Sequence, residues 1–136
     1  MELRVKNQLD GKTELLIKGI ISAAIDVHRE LGPGYLEKVY EQALSLELRQ
    51  RGLAHAIQVP VAVNYKGVKI HGQVLDMVVE NKVIVELKAV ERLLPTHEAQ
   101  ILSSLKSTEV PAGLLSNFKE QLVKNGIRRF VRTNHR

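Results

Sequence analysis

The sequence predicts an α/β fold in which a central mixed β-sheet is flanked by α-helices. Two amphipathic helical segments come first, three β-rich runs joined by short turns follow, and a further helix leads into a last buried run. The expected core order is helix, strand, strand, strand, helix, strand, with an extra helix at the N-terminus. The 136 residues, 44% of them hydrophobic, suit one domain spanning residues 1–136.

The two leading helices are predicted from apolar residues that recur at intervals of three and four. Residues 13–31 carry such a stripe, with Thr13 as the expected N-cap. Gly32-Pro33-Gly34 ends this helix, because proline lacks the amide donor that a helix interior needs and Gly34 tolerates the positive φ of a sharp break. The second helix is expected over residues 35–51, with Gly52 following its end.

The strands are predicted from β-rich runs at residues 57–65, 68–79 and 82–89. Pro60 cannot donate to a strand ladder, so the first run is expected at a sheet edge or at a bulge. The connection after residue 79 is short enough to require an antiparallel hairpin that turns about Asn81. A helix over 96–106 and a strand over 112–118 then form a crossover. The tail predicts an edge strand at 127–132 and frayed residues at 133–136.

The hairpin predicts that two acidic residues meet. Asp76 and Glu86 are equidistant from Asn81, so they face each other if the strands pair about that residue. Lys88 shares the face of Glu86, because side chains alternate along a strand. Opposed like charges destabilise a sheet unless a cation offsets them, and Mg²⁺ prefers oxygen ligands of this kind. The alternative is a solvated hairpin face on which Lys88 forms an ordinary ion pair with the carboxylates.

A family resemblance adds to this pattern. The stretch HRELGPGYLEKVYEQAL contains Gly34, Glu37 and Tyr40 at the spacing of the GxxExxY family, and the likeness continues through residues 59–106 and 113–118. Proteins of this family are similar to the PD-(D/E)xK nuclease superfamily. The resemblance implies a restriction-endonuclease-like core and hydrolysis of phosphodiester bonds in nucleic acid, with Mg²⁺, or alternatively Mn²⁺, as the cofactor.

The resemblance also implies roles for individual residues. Asp76 and Glu86 would bind the metal, together with the backbone carbonyl of Leu87. Lys88 would be the motif lysine, and Glu37 would be the helix acid that extends the site. The resemblance thus implies Asp76, Glu86 and Leu87 as the metal ligands. It implies Glu37, Asp76, Glu86, Lys88 and Gln100 as the catalytic residues.

Four helical residues have structural alternatives to a role in the site. Glu37 stands in a first helical turn, where an acid complements the helix dipole. Gln100 resembles the glutamine in the following helix of RecB-like nucleases, but Ser104 stands where those proteins often have a tyrosine, and Gln100 is equally an ordinary polar residue. Tyr40 either bonds into the site or packs its ring against the sheet. His97, near a helix start, either orients a phosphate or is a polar surface residue.

Composition restricts the chemistry and the partners. The absence of cysteine excludes disulfides, thiolate metal sites and cysteine nucleophiles. The charged N-terminal stretch and the lack of a long apolar run indicate a cytoplasmic protein without a membrane partner. The net charge of +5 favours an anionic partner such as nucleic acid, either DNA or RNA.

Two rival functions remain at this point. The first alternative to a nuclease is a catalytically silent module that binds nucleic acid or a protein partner. The second is a structural homo-oligomer that binds metal only for stability. A set of basic residues near the C-terminus either tracks a phosphate backbone or forms a solvated edge strand. That set is Lys124, Arg128, Arg129, Arg132 and Arg136.

Overall fold

The structure is a computed structural model that describes residues 9–132. Within this range the helices are α1 (Gly11–Leu31), α2 (Glu37–Gln50) and α3 (Pro95–Lys106), and a 3-10 turn covers Val123–Gly126. The strands are β1 (His55–Tyr65), β2 (Val68–Val79), β3 (Val83–Lys88), β4 (Ala112–Asn117) and β5 (Ile127–Val131). The predicted order of elements is confirmed. The frayed tail expected at 133–136 lies outside the described residues.

The five strands form one sheet in the order β1-β2-β3-β4-β5. All neighbours are antiparallel except β3 and β4, which run parallel and are connected through α3. The predicted mixed sheet is therefore confirmed, and so are the edge positions of the first strand and of the tail strand. No helix in the described part of the chain is both long and apolar enough to span a membrane.

The register of the β2–β3 hairpin matches the expectation. Met77 pairs with Val85 and Val79 with Val83, each pair equidistant from Asn81. Glu80 and Asn81 both adopt positive φ, at 54° and 57°, which is the backbone of a tight turn whose twist matches paired strands. Pairing about Asn81 is confirmed. It places Asp76 and Glu86 at the positions that follow the Met77–Val85 pair on the two strands.

Hydrophobic residues bury both faces of the sheet. The larger cluster lies between the sheet and the pair α1 and α2, and it includes Ile20, Leu44 and Val85. The smaller cluster lies on the face that bears α3, where Ile84 packs with Leu105. The face that Ile84 shares with Glu86 and Lys88 is only partly solvated, because Ile84 is buried whereas Glu86 and Lys88 stay partly exposed.

The N-terminus of α1 differs from the prediction. The helix starts at Gly11, and Asp10 is its N-cap because its Oδ1 accepts a hydrogen bond from the amide of Thr13 at 2.8 Å. Thr13 itself is buried within the first turn. Its predicted capping role is wrong, since its own amide is one of the donors that a cap must satisfy.

The start of α2 is fixed by Tyr40. Its ring is fully buried and stacks on Phe118 with the centroids 4.7 Å apart. Its hydroxyl donates to the carbonyl of Gly32 at 2.6 Å and accepts from the amide of Tyr35 at 3.1 Å. The helix begins at Glu37 rather than at Tyr35, because Gly34 has a φ of +118° and the backbone up to the cap is still non-helical. The packing role expected for Tyr40 is confirmed.

Candidate functional site

A cleft of about 720 Å³ opens beside α3 at the point where β2 and β3 stop pairing. Its lining brings together Asp76 from β2, Glu86 and Lys88 from β3, and Gln100 from α3. The last paired residues of the two strands are Met77 and Val85, so both carboxylates project from the first positions beyond regular pairing. Residues that are distant in sequence thus share one concave surface.

Asp76 is held in place by the backbone of the neighbouring strand. Its Oδ2 accepts a hydrogen bond from the amide of Leu87 at 2.9 Å. This bond occupies one carboxylate oxygen and satisfies an amide beyond the end of the β2–β3 ladder. The observed contact of Leu87 is through its N–H, and the contact of its carbonyl with a metal stays a prediction.

Glu86 lies in an unfavourable environment for a charged carboxylate. Burial, with the neighbouring charge of Asp76 acting in the same direction, raises the pKa of Glu86 to about 8. Lys88 favours the charged form, but its effect is the smallest of those acting on Glu86. The ion pair expected of a purely structural hairpin is not formed, because Lys88 makes no salt bridge with Asp76 or Glu86 within residues 9–132.

Glu37 lies at the end of β3 rather than in the lining of the cleft. Its Oε2 accepts a hydrogen bond from the amide of Ala89, just after Lys88, at 3.3 Å. The side chain is exposed and stands in the first turn of α2. This contact joins the start of α2 to the segment that bears the motif lysine, and the dipole interaction expected for such an acid is also available.

Glu41 is a second helix acid that the sequence analysis did not select. It is buried one helical turn after Glu37, and its Oε1 accepts a hydrogen bond from Nε2 of Gln58 at 3.0 Å. Burial raises the pKa of Glu41, the bond from Gln58 opposes this, and the charge of Asp76 adds to the rise. The separation of four residues from Glu37, which places both acids on one helix face, was the signal available in the sequence.

The floor of the cleft connects α3 to β2. Ser104 accepts a hydrogen bond from Nε2 of Gln73 at 3.2 Å and donates to the backbone carbonyl of Gln100 at 3.1 Å. The position at which the chain departs from RecB-like nucleases therefore has a structural role. His97 accepts from the amide of Leu94 at 2.9 Å, so its ring caps the start of α3.

Three arginines of the C-terminal segment are engaged within the fold. Arg129 contacts both carboxylate oxygens of Glu14, at 3.1 and 2.7 Å, and Arg128 pairs with Glu98. Arg132 donates through Nε to the backbone carbonyls of residues 105 and 108. These contacts favour the solvated edge strand over the phosphate-tracking alternative. Arg136 lies outside the described residues.

The donor set of the cleft fits a hard divalent cation. No three His, Cys, Asp or Glu side chains among residues 9–132 are grouped so as to hold a metal by themselves. Mg²⁺ usually needs less from a protein, because it binds through one or two carboxylates together with water and substrate phosphate. Asp76 and Glu86 supply such a pair, and a bound cation would offset the burial and the charge of Asp76 that together raise the pKa of Glu86.

One of three comparisons with known proteins identifies a superfamily. A family model described as the PD-(D/E)XK nuclease superfamily matches residues 14–130, which include every element from α1 to β5 apart from the first residues of α1 and the last residue of β5. The match concerns the superfamily and does not address the GxxExxY family. Searches among curated proteins and among solved structures found no match.

Proposed function

The chain belongs to the PD-(D/E)XK nuclease superfamily, and on that premise we propose that it hydrolyses phosphodiester bonds of nucleic acid with the help of Mg²⁺ or Mn²⁺. The observation that carries the proposal is the convergence of Asp76, Glu86 and Lys88 in one cleft. The fold keeps two carboxylates together at a cost to its own stability, and a role in catalysis explains why.

Each residue has a distinct task in this proposal. Asp76 and Glu86 supply the oxygen ligands for the cation, and the amide of Leu87 fixes the orientation of Asp76. A divalent cation held by these two carboxylates would supply Lewis acidity, which would lower the pKa of an attacking water and polarise the phosphoryl oxygen. Lys88 places a positive charge beside the reacting phosphate, where negative charge increases in the transition state.

Two further residues support the reaction from the edges of the cleft. Gln100 projects from α3 as a neutral side chain that can donate a hydrogen bond to a phosphate oxygen without adding charge. Glu37 holds the amide of Ala89 and so positions the end of β3 that carries Lys88. Glu37 is therefore proposed to act as a positioning residue in the described geometry.

The test is a cleavage assay with labelled linear duplex, circular and single-stranded nucleic acids. Wild-type protein and Asp76→Asn are compared in Mg²⁺, in Mn²⁺ and in EDTA. We expect wild type to cut at least one substrate in either metal, EDTA to stop the reaction, and Asp76→Asn to be inactive because a neutral amide is a poor ligand for a hard cation.

Two outcomes would contradict the proposal. Cutting that persists in EDTA or in Asp76→Asn would mean that the activity arises outside this cleft. The absence of cutting by wild type on every substrate would instead favour a silent module that holds nucleic acid or a protein partner. A folded Asp76→Asn variant, verified by circular dichroism, is required for either conclusion.

A further inference from the structure

The hairpin formed by β1 and β2 extends beyond the rest of the sheet. Its strands contain 11 and 12 residues, whereas β3 and β4 contain 6 each. The ladder is interrupted by a bulge at which Val61 pairs with Gln73 but Val63 pairs with Ile70, and Gly72 accommodates the bulge with a φ of +125°. Residues 62–72, distal to this bulge, are called the arm below.

The arm presents an apolar face toward the cleft. Val63 and Ile70 are directly opposed and both line the cleft that holds Asp76 and Glu86. Tyr65 and Val68 are the next opposed pair on that face, because side chains alternate along a strand. Tyr65 is 59% exposed and Val68 is 61% exposed. An apolar surface therefore runs outward from the candidate catalytic residues to the tip of the arm.

The charged side chains of the arm itself have one sign. No Asp or Glu occurs from residue 48 to residue 75, and the arm contains Lys66 and Lys69. Neither lysine forms an ion pair with another residue in the range 9–132. The ammonium of Lys66 lies 5.4 Å from the centroid of the Tyr65 ring. An aromatic ring and a cation thus stand together at the tip of an arm that contains no acidic residue.

We propose that the arm binds an unpaired strand of nucleic acid and leads it into the cleft, with a base stacked on Tyr65 and a phosphate near Lys66. This inference rests on the proposed function and specifies its substrate class. Bases in a duplex already stack on each other, whereas an unpaired base has free faces for an aromatic ring and for aliphatic side chains. The positive charge near the ring suits the phosphate that follows such a base.

A second copy of this chain is the other occupant that an exposed strand pair could attract. The observations favour nucleic acid for two reasons. Two arms that met would bring lysines of the same sign together, since the acid-free stretch includes the whole arm. The apolar face is also continuous with the cleft that contains Asp76 and Lys88, so a strand bound on it reaches those residues directly.

The experiment measures binding separately from cleavage. Fluorescence anisotropy in EDTA gives the affinity of wild type, Tyr65→Ala and Tyr65→Phe for a labelled oligothymidine, an oligouridine and a duplex. Tyr65→Phe keeps the ring and is the matched control for folding of the arm. Arg129→Gln removes a positive charge from the opposite sheet edge and is the control for net charge.

We expect Tyr65→Ala to bind at least one of the single strands about tenfold more weakly, as is typical when one stacking partner is lost. Tyr65→Phe and Arg129→Gln should stay within about twofold of wild type, and duplex affinity should not depend on Tyr65. Lys66→Gln should reduce the slope of log affinity against log salt concentration by about one phosphate contact.

The inference is overturned if wild type does not bind single strands, or if Tyr65→Ala binds them as wild type does. It is also overturned if light scattering shows a dimer that Tyr65→Ala converts to monomer while nucleic-acid affinity is unchanged, since a second copy would then occupy the arm. Cleavage without Tyr65-dependent binding would reject the arm and keep the proposed function. Tyr65-dependent binding without cleavage would keep the arm as a binding surface and reject the proposed function.

Discussion

Glu86 on β3 and Glu14 on α1 are both glutamates beside the same sheet, but their electrostatic environments are opposite. Burial and the nearby Asp76 raise the pKa of Glu86 to about 8, and Lys88 offsets little of that rise. The hydrogen bond from Arg129, aided by the charge of that guanidinium, lowers the pKa of Glu14. The fold thus stabilises the charge of Glu14 and penalises the charge of Glu86.

The difference separates acids that hold the fold together from acids that have another task. A glutamate paired with an arginine at a sheet edge serves stability and needs no further explanation. Two carboxylates that are kept close without a neutralising partner oppose stability, so a sequence selected only for folding would replace one of them. The same distinction applies to cations: Arg129 is engaged by Glu14, whereas Lys66 on the arm is available to an anion.

The largest expected effect follows from neutralising each glutamate in turn and measuring cleavage. We expect Glu86→Gln to lower the rate by about a hundredfold or more, because it removes a proposed ligand of the cation. Glu14→Gln should leave the rate within about twofold of wild type. Equal rates for the two variants would show that Glu86 has no greater part in cleavage than Glu14.

The second expected effect is a fall in stability with rising pH in the absence of metal. Because the folded pKa of Glu86, about 8, exceeds the ordinary glutamate value of 4.5, the folded state holds the proton more tightly. The contribution of protonated Glu86 to the free energy of unfolding is therefore fully present below pH 4.5. It decreases as the pH rises and is lost above pH 8. The change is on the order of a few kcal/mol, since one pKa unit corresponds to about 1.4 kcal/mol.

Chemical denaturation of wild type and Glu86→Gln between pH 5 and pH 9 measures this effect. Most of the fall in stability with rising pH should be absent from Glu86→Gln, because the glutamine has no proton to release. Added Mg²⁺ should restore stability to wild type at the high-pH end and should have little effect on the variant. Parallel pH profiles for the two proteins would contradict the assignment of the decrease to Glu86.

An intermediate effect is expected for Glu41, which is buried but already has a neutral partner in Gln58. Glu41→Gln should raise the melting temperature at pH 8, because the amide accepts the same bond without the cost of a buried charge. The rise in melting temperature should be smaller than the rise that Glu86→Gln brings at the same pH. The rate of cleavage should stay within about tenfold of wild type. A lower melting temperature would show that the charge of Glu41 is needed by the fold.

The smallest effect is expected for Glu14, with the opposite sign of pH dependence. Its lowered pKa means that the pair with Arg129 contributes to stability above the ordinary pKa of glutamate and that this contribution is lost as the pH falls through the folded value. Wild type should therefore melt slightly above Glu14→Gln at pH 7, and the two should melt together in strong acid. High salt should also remove the difference, because both side chains are partly exposed.

The parts of the fold that local patterns specify could be predicted from the sequence. The turn about Asn81 determined the register of β2 and β3, and hence the neighbourhood of Asp76 and Glu86, because strand alternation leaves little freedom once a short turn is set. The end of α1 was predicted from Gly32-Pro33-Gly34. Its beginning was not, because Asp10 and Thr13 are both good capping residues and only the backbone shows which of them precedes the helix.

The parts of the site that depend on packing between distant elements could not be predicted in the same way. Glu41 on α2 feels the charge of Asp76 on β2, and its partner Gln58 stands in β1 with a positive φ, so three separate elements meet at this acid. Arg129 pairs with Glu14 from the other end of the chain, and Arg128 pairs with Glu98, 30 residues before it in α3. Sequence showed a basic tail, but it did not show that those charges are used within the fold.

The most direct test is to measure the binding of Mn²⁺ to the protein without nucleic acid. The loss of the paramagnetic signal of the free ion reports the binding. Wild type and Glu14→Gln should each bind one ion per chain, and Glu86→Gln should bind none over the same concentration range. Equal binding by all three proteins, or no binding by any of them, would contradict the claim that Asp76 and Glu86 form a divalent metal site.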